Sequence, residues 1–249
     1  MNNFKIKSNY TNTFYDISFY IPKEAKTETE TEKLPLIIVL DGDNCFEVVS
    51  RVIKQQGLPM LSKKTGIKPS IVVGISHQPF EKKEKRFLDF TAPSENFHLP
   101  EQSKFNIPSN LGGAKNFNKF IEEELLELIE KEISFDRNEL IIVGHSLGGY
   151  YVLWNLLNES NIYKNIIAFS PSVWWNDYEL LKLDNLSTTH HRIFIGVGEN
   201  EGYMVDCAEK IHTKIKTFNE NIELYIAPEE NHGSIVMTSI SRALRYIFQ

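Results

Sequence analysis

The sequence predicts an α/β protein built on a mostly parallel central sheet, with antiparallel strands at its N-terminal end and helices on both faces. Short, largely unbroken apolar runs recur at Leu36–Leu40, Ile71–Ile75, Leu140–Val143, Ile166–Phe169, Ile193–Val197 and Ile222–Ala227. Strands buried on both faces read this way. Between most of these runs lie stretches of helical periodicity, and strand alternating with helix means a parallel sheet covered on both sides. Before them, Phe14 to Ile21 alternates β-forming side chains and stops at Pro22, the pattern of antiparallel edge strands.

Taken in order, residues 23–33 hold no apolar side chain larger than alanine and read as a solvated loop tip. The run at Leu36–Leu40 ends in the turn Asp41-Gly42-Asp43-Asn44. After Ile75 comes a connection of about 40 residues carrying Pro79, Pro93, Pro100 and Pro108, a length found in functional or disordered loops. Phe117, Phe120, Ile121, Leu125, Leu128 and Ile129 then recur at helical spacing, with glutamates opposite. Helices are also predicted over Leu147–Leu157, Met204–Phe218 and Ile235–Phe248. A second irregular stretch spans Ser170 to His191. Excursions 77–114 and 170–191 leave from carboxyl ends of strands, where open α/β sheets bind ligands, so they are expected to form a substrate-side cap. No repeat or composition break divides residues 1–249, and a single domain is expected.

Composition excludes several classes of function. Twenty-seven Lys and Arg stand against 33 Asp and Glu, a net charge of −6, which argues against nucleic acid as the main partner. A hydrophobic content of 41% with 24% charged residues is ordinary for a folded globular chain. Cys45 and Cys207, the two cysteines, cannot build a disulfide framework and fit a reducing compartment. The apolar runs are too short to cross a bilayer. Met1-Asn2-Asn3-Phe4-Lys5 lacks the apolar core of a signal peptide. A cytoplasmic protein with no membrane partner is expected.

The sharpest motif is Gly144-His145-Ser146-Leu147-Gly148-Gly149, between the run ending at Val143 and the helix from Leu147. A serine in a tight strand-to-helix turn needs small neighbours two residues away on each side, and the turn exposes its hydroxyl. A nucleophilic serine needs a base, and the base an orienting acid. His232 follows the last strand in the short loop Pro228-Glu-Glu-Asn-His232-Gly233 and comes after the serine in chain order, as this topology requires. Among the other histidines, His145 is directed away from the hydroxyl. His190 and His191 lie at the wrong end of the sheet, and His212 falls within a helix. His77 and His98 remain open in the long loop.

The acid should stand just past Ile193–Val197, in Gly198-Glu199-Asn200-Glu201-Gly202. Glu201 is the first choice, followed by Glu199 and Asp206, with a bare Ser–His pair also open. The oxyanion hole requires two backbone N–H groups, expected from Leu147 and Asp43, with Gly42 allowing close approach of the substrate. No cluster has zinc spacing and no glutamate completes a calcium loop, so neither metal nor cofactor is invoked.

These residues carry a resemblance over nearly the whole chain. Leu40-Asp41-Gly42-Asp43, Arg86-Phe-Leu-Asp89-Phe90-Thr91 and Gly112-Gly113-Ala114 match in order, followed by the serine motif, Ser170-Pro171-Ser172-Val173-Trp174-Trp175, Gly198-Glu199 and Asn231-His232. The chain resembles the putative-esterase branch of the α/β-hydrolase fold, and within it the siderophore (enterobactin/bacillibactin-type) esterases. The resemblance implies a serine hydrolase with Ser146 and His232 in the catalytic roles, opening the trilactone of an anionic ferric siderophore in the cytoplasm. It leaves the acid open, because that position varies in the group. Trp174 and Trp175 offer aromatic faces for aryl groups. The basic stretch 82–86 offsets anionic charge, with Arg86, by its motif match, as the candidate substrate contact. A formyl-thioester or feruloyl-type esterase on the same scaffold, or a non-catalytic binding protein, are the competing readings.

Overall fold

The structure, a computed structural model, describes residues 3–23, 33–98, 106–158, 162–183 and 191–249. Most of the loop tip expected at 23–33 lies outside these residues, as do Pro100 and His190. The strands are β1 (Phe4–Lys7), β2 (Phe14–Tyr20), β3 (Leu34–Leu40), β4 (Ile71–His77), β5 (Phe135–His145), β6 (Asn165–Phe169), β7 (Arg192–Gly198) and β8 (Ile222–Ala227). They form one sheet in the order β1-β2-β4-β3-β5-β6-β7-β8. β1–β2 and β2–β4 are antiparallel, and every later pair is parallel.

All six apolar runs fall inside β3–β8. Successive side chains of a strand point to opposite faces, so each run supplies two cores at once. Leu36, Ile38 and Leu40 join one cluster, while Ile37 and Val39 join the other. The second cluster is closed by helices α1 (Gly42–Gln56) and α9 (Ile235–Ile247) through Val49, Ile53, Ile240 and Leu244. A short helix, α2 (Pro59–Thr65), follows α1. The first cluster is closed by α4 (Ala114–Lys119), a π-helical segment Phe120–Leu125, α5 (Leu126–Glu132), α6 (Leu147–Asn158) and α8 (Tyr203–Lys216).

Three elements differ from expectation. β2 is not an edge strand, because it pairs with β1 on one side and β4 on the other, burying Tyr15 and Ile17. β8 is the far edge, and its four central residues are only half-buried. The charged stretch after Pro79 is a helix, α3 (Lys82–Asp89), within the supposed loop. Its inward face is polar: Arg86 and Asp89 bond to Asp41 and His77, so no apolar periodicity announces it. A last helix, α7 (Trp175–Lys182), lies in the 170–191 excursion and carries a left-handed turn at Asn176, Asp177 and Tyr178.

The turn after β3 also departs from its expected use. Asp41 takes φ 49°, and a Cβ on Gly42 would stand 2.9 Å from the Gly74 carbonyl carbon, the Ile75 nitrogen and Ser76 Oγ. The space that glycine leaves is filled by β4, not kept for a substrate. Because two of those atoms are backbone, Gly42→Ala should destabilise the fold by about 1–3 kcal/mol through overpacking, read as a lower urea midpoint at unchanged slope.

Candidate active site

β5 ends at His145 and α6 begins at Leu147, leaving Ser146 in the turn with φ 58°. The left-handed region costs a non-glycine residue about 1–2 kcal/mol, and here three backbone bonds hold it. The Ser146 N–H donates to Phe169 O at 2.9 Å, and its carbonyl accepts from Tyr150 and Ser172 N–H at 3.0 Å. The glycines that permit this crossing are not quite those anticipated. A Cβ on Gly144 would lie 2.2 Å from Gly148 O, and one on Gly149 2.9 Å from Phe169 O, but one on Gly148 would meet nothing closer than 3.5 Å. The second required glycine is therefore Gly149.

Glu201 closes a short 3-10 turn, Glu199–Glu201, after β7. Its Oε2 lies 2.6 Å from His232 Nδ1, and its Oε1 accepts from Ser170 Oγ at 2.6 Å and from the Gly198 N–H at 2.7 Å. Its side chain is 2% exposed. Burial alone would raise the carboxyl, but hydrogen bonds from His232, Ser170 and Gly198 outweigh it and hold Glu201 below the usual carboxylate range. The other two acid candidates are elsewhere. Glu199 accepts from the Glu229 N–H at 3.0 Å, and Asp206 lines a separate surface groove with Lys210 and Lys214.

Ser146 and His232 face one pocket of about 310 Å³, walled by Ser172, Trp174, Asn200, Tyr203, Met204 and Asn231. The bond at Ser146 Oγ runs to Ser172 Oγ, 3.5 Å away, and among the described residues none joins Ser146 to His232. Such contacts are commonly long in a free site and tighten with substrate. Ser170 and Ser172 stand in the sequence only as part of a matching motif, with no role assigned, and Tyr203 and Met204 are not marked at all. The available signal for the serines is the placement of 170–172 directly after an apolar run, at the carboxyl edge of the sheet.

Trp174 faces this pocket, but Trp175 does not. Trp175 is 0% exposed, packed against the rings of Phe87 at 5.8 Å and Phe97 at 6.0 Å. It fastens the two excursions together and has no face to offer a ligand. Arg86 is likewise engaged by the protein. It bonds both Asp41 oxygens, at 2.7 and 2.9 Å, and the His145 carbonyl at 3.2 Å. The residue expected to contact substrate thus also serves as a half-buried tie between the β3 turn and the serine turn. Its outer edge lines a neighbouring cavity of about 450 Å³ with Lys82, Lys83 and Phe87.

Leu147 and Asp43 are the first residues after the Ser146 and Gly42 turn positions, in the first turns of α6 and α1. The Asp41 carbonyl takes the N–H groups of Asn44 and Cys45, leaving Asp43 among the donors that a helix start does not satisfy internally. The Asp43 carboxylate pairs with Lys82. His77 is away from the site, buried at the end of β4 and bonded to Asp89 at 2.9 Å. The His98 N–H donates to Asn176 Oδ1, and His191 bonds the Lys164 carbonyl. Among the described residues, no three His, Cys, Asp or Glu side chains converge as a metal site, and no helix is long and apolar enough to cross a membrane.

The family described as "Putative esterase" matches residues 8–234. The chain belongs to this esterase family. The ferri-bacillibactin esterase BesA of Bacillus subtilis is 32% identical over 85% of this chain and 78% of its own. The apo-salmochelin esterase of Escherichia coli is 28% identical over 84% and 68%. The crystal structure of the BES protein from Bacillus cereus superposes with a TM-score of 0.84 at 32% identity, covering 99% of this chain and 95% of that one. The fold is the α/β-hydrolase fold, and the chain is an esterase by family.

One ionisable group of the esterase ties its stability to pH. Burial, and then the nearby His232, push the His145 imidazole down to about 4, and its ring lies 4.5 Å from that of His232, tilted by 42°. An unfolded histidine takes its proton near pH 6.5. Between pH 6.5 and 4 the unfolded chain therefore binds more protons than the folded one, so stability is full above 6.5 and falls as pH drops. The loss is on the order of 3 kcal/mol. Thermal melts at pH 7 and 4.5 should show a clearly smaller drop in Tm for His145→Gln than for the unaltered esterase.

Proposed function

We propose that the esterase hydrolyses carboxylic esters through an acyl-enzyme on Ser146, with His232 as general base and Glu201 as its orienting acid. The observation that carries this reading is the 2.6 Å bond from Glu201 to His232 Nδ1, with His232 facing the pocket of a serine held at φ 58°. That bond fixes the Nδ1–H tautomer and leaves Nε2 free to accept a proton. His232 takes the Ser146 proton, Ser146 attacks the carbonyl carbon, and the oxyanion forms against the N–H groups of Leu147 and Asp43. His232 then protonates the departing alkoxide, and water repeats the sequence on the acyl-enzyme.

The substrate we infer is the ester scaffold of a siderophore, an anionic ferric trilactone. The names of the relatives support it, as do the aromatic walls Trp174 and Tyr203 and the neighbouring cavity edged by Lys82, Lys83 and Arg86. The described parts of 77–114 and 170–191, joined through Trp175, are read as the substrate-side cap of one domain. Cys45 and Cys207 are buried and unpaired, which supports a cytoplasmic setting.

The test is turnover of a catechol trilactone beside a cinnamoyl ester and an S-acyl glutathione. The trilactone should be preferred; preference for either other substrate would transfer the assignment to a feruloyl-type or thioester hydrolase. Ser146→Ala should lose at least about a thousandfold in kcat and all labelling by a fluorophosphonate, and an unchanged rate would remove Ser146 from its role. Glu201→Gln should lower kcat by about a hundredfold or more, with Glu199→Gln within about threefold; the reverse ranking would move the acid.

A further inference from the structure

After β6 the chain turns through Ser170-Pro171-Ser172, and neither serine is used in the mechanism above. Both are buried, at 0% and 3% exposure. Ser170 takes φ 41° and its N–H donates to Gly196 O at 2.7 Å. Its hydroxyl donates to Glu201 Oε1 at 2.6 Å, the oxygen turned away from His232. At the other end of the turn, the Ser172 N–H donates to Ser146 O at 3.0 Å, and its hydroxyl stands 3.5 Å from Ser146 Oγ. Two residues apart on one buried turn, one hydroxyl addresses the acid and the other the nucleophile.

Each contact has a chemical consequence. A carboxylate held at one oxygen only can swing about its terminal torsion, which is broad. With Oε1 fixed by Ser170 and the Gly198 N–H, the Oε2 lone pair stays on His232 Nδ1. At the nucleophile, oxygen gains negative charge as its proton leaves, and a neighbouring O–H is a donor aimed at that charge. The turn sits this close because Gly149 has no side chain: a Cβ there would lie 3.0 Å from Pro171 Cα.

We propose that this turn carries two further parts of the esterase machinery: Ser170 is a positioning residue that locks Glu201 onto His232, and Ser172 is a catalytic residue whose hydroxyl donates to Ser146 Oγ during attack. In that step the Ser146 proton passes to His232 Nε2, the Ser146 oxygen bonds to the carbonyl carbon, and the carbonyl π pair moves onto its oxygen. Ser172 keeps its own proton throughout. The inference rests on the serine-hydrolase reading above, not on the identity of the natural ester.

The experiment measures p-nitrophenyl ester turnover and fluorophosphonate labelling for Ser170→Ala, Ser170→Gly, Ser172→Ala and Ser172→Thr. Ser170→Ala and Ser172→Ala are each repeated in a Glu201→Gln background. Ser170→Ala and Ser170→Gly should both lower kcat by about tenfold or more, with KM within about twofold. Glycine adopts a positive φ without strain, so Ser170→Gly at the full rate would mean a conformational role and overturn the assignment. In the Glu201→Gln background, Ser170→Ala should cost almost nothing more, because it acts through that carboxylate, whereas Ser172→Ala should keep its full loss. An undiminished Ser170→Ala loss there would refute the Ser170 assignment. Ser172→Thr should recover most of what Ser172→Ala loses, and labelling of Ser172→Ala at the unaltered rate would refute the Ser172 assignment. If the unaltered esterase itself neither turns over the ester nor labels at Ser146, the serine-hydrolase reading fails, and the inference with it.

Discussion

The site depends on one serine backbone held in the left-handed region. Ser146 reaches φ 58° because the β5–α6 crossing leaves no room at Gly144 for a side chain, and because three backbone bonds offset the strain. Two of those bonds go to Phe169 and Ser172, which bracket the turn after β6. The strained serine is therefore clamped by the same turn whose Ser170 hydroxyl reaches Glu201. Backbone strain of this kind persists only where surrounding structure over-determines it, and here the determining contacts also arrange the acid and the base.

A second tie runs beneath the first. Buried Asp41 and half-buried Arg86 form a two-bond ion pair, and Arg86 continues to the His145 carbonyl. Burial works against both charges, pushing the Asp41 carboxyl up and the Arg86 guanidinium down, but their mutual attraction outweighs it in each case. Removing one partner of a buried pair leaves an uncompensated charge, typically at a cost of about 3–5 kcal/mol. The pair therefore couples the β3 turn, which carries Asp43, to the turn that carries Ser146. The basic run in an acidic chain thus has a double engagement: Arg86 pairs with Asp41 and Lys82 with Asp43, while both, with Lys83, edge the neighbouring cavity.

What the sequence makes legible follows from this division between apolar and polar packing. The strands β3 to β7 can be read from their apolar runs, because burial on both faces leaves those runs without a charged position, while the half-buried edge strand β8 keeps a mainly apolar run broken by Glu223. The helix at 114–132 is legible from the spacing of Phe117, Phe120 and Ile121, which marks its buried face. α3 is not, because its inward contacts are made by Arg86 and Asp89 rather than leucine, and hydrophobic periodicity cannot register a helix held by polar contacts. Trp175 is misread for a complementary reason. Adjacent tryptophans at a sheet edge look alike in sequence, and only the position of Phe87 and Phe97 decides which one is enclosed.

Glu201 is readable where Arg86 is not because topology restricts it more tightly. β7 and β8 are parallel neighbours, with Gly198 beside Ala227 in register, so the loops leaving their carboxyl ends start side by side. The short turn after Gly198 must then present one of a few carboxylates to a histidine placed five residues beyond Ala227. Local hydrogen bonding makes the choice. Glu199 accepts from the Glu229 N–H, bracing the two loops against each other, while Glu201 folds back to cap the Gly198 N–H. That backward fold aims its second oxygen at His232, so the backbone contact that closes the turn also selects the carboxylate that meets the imidazole.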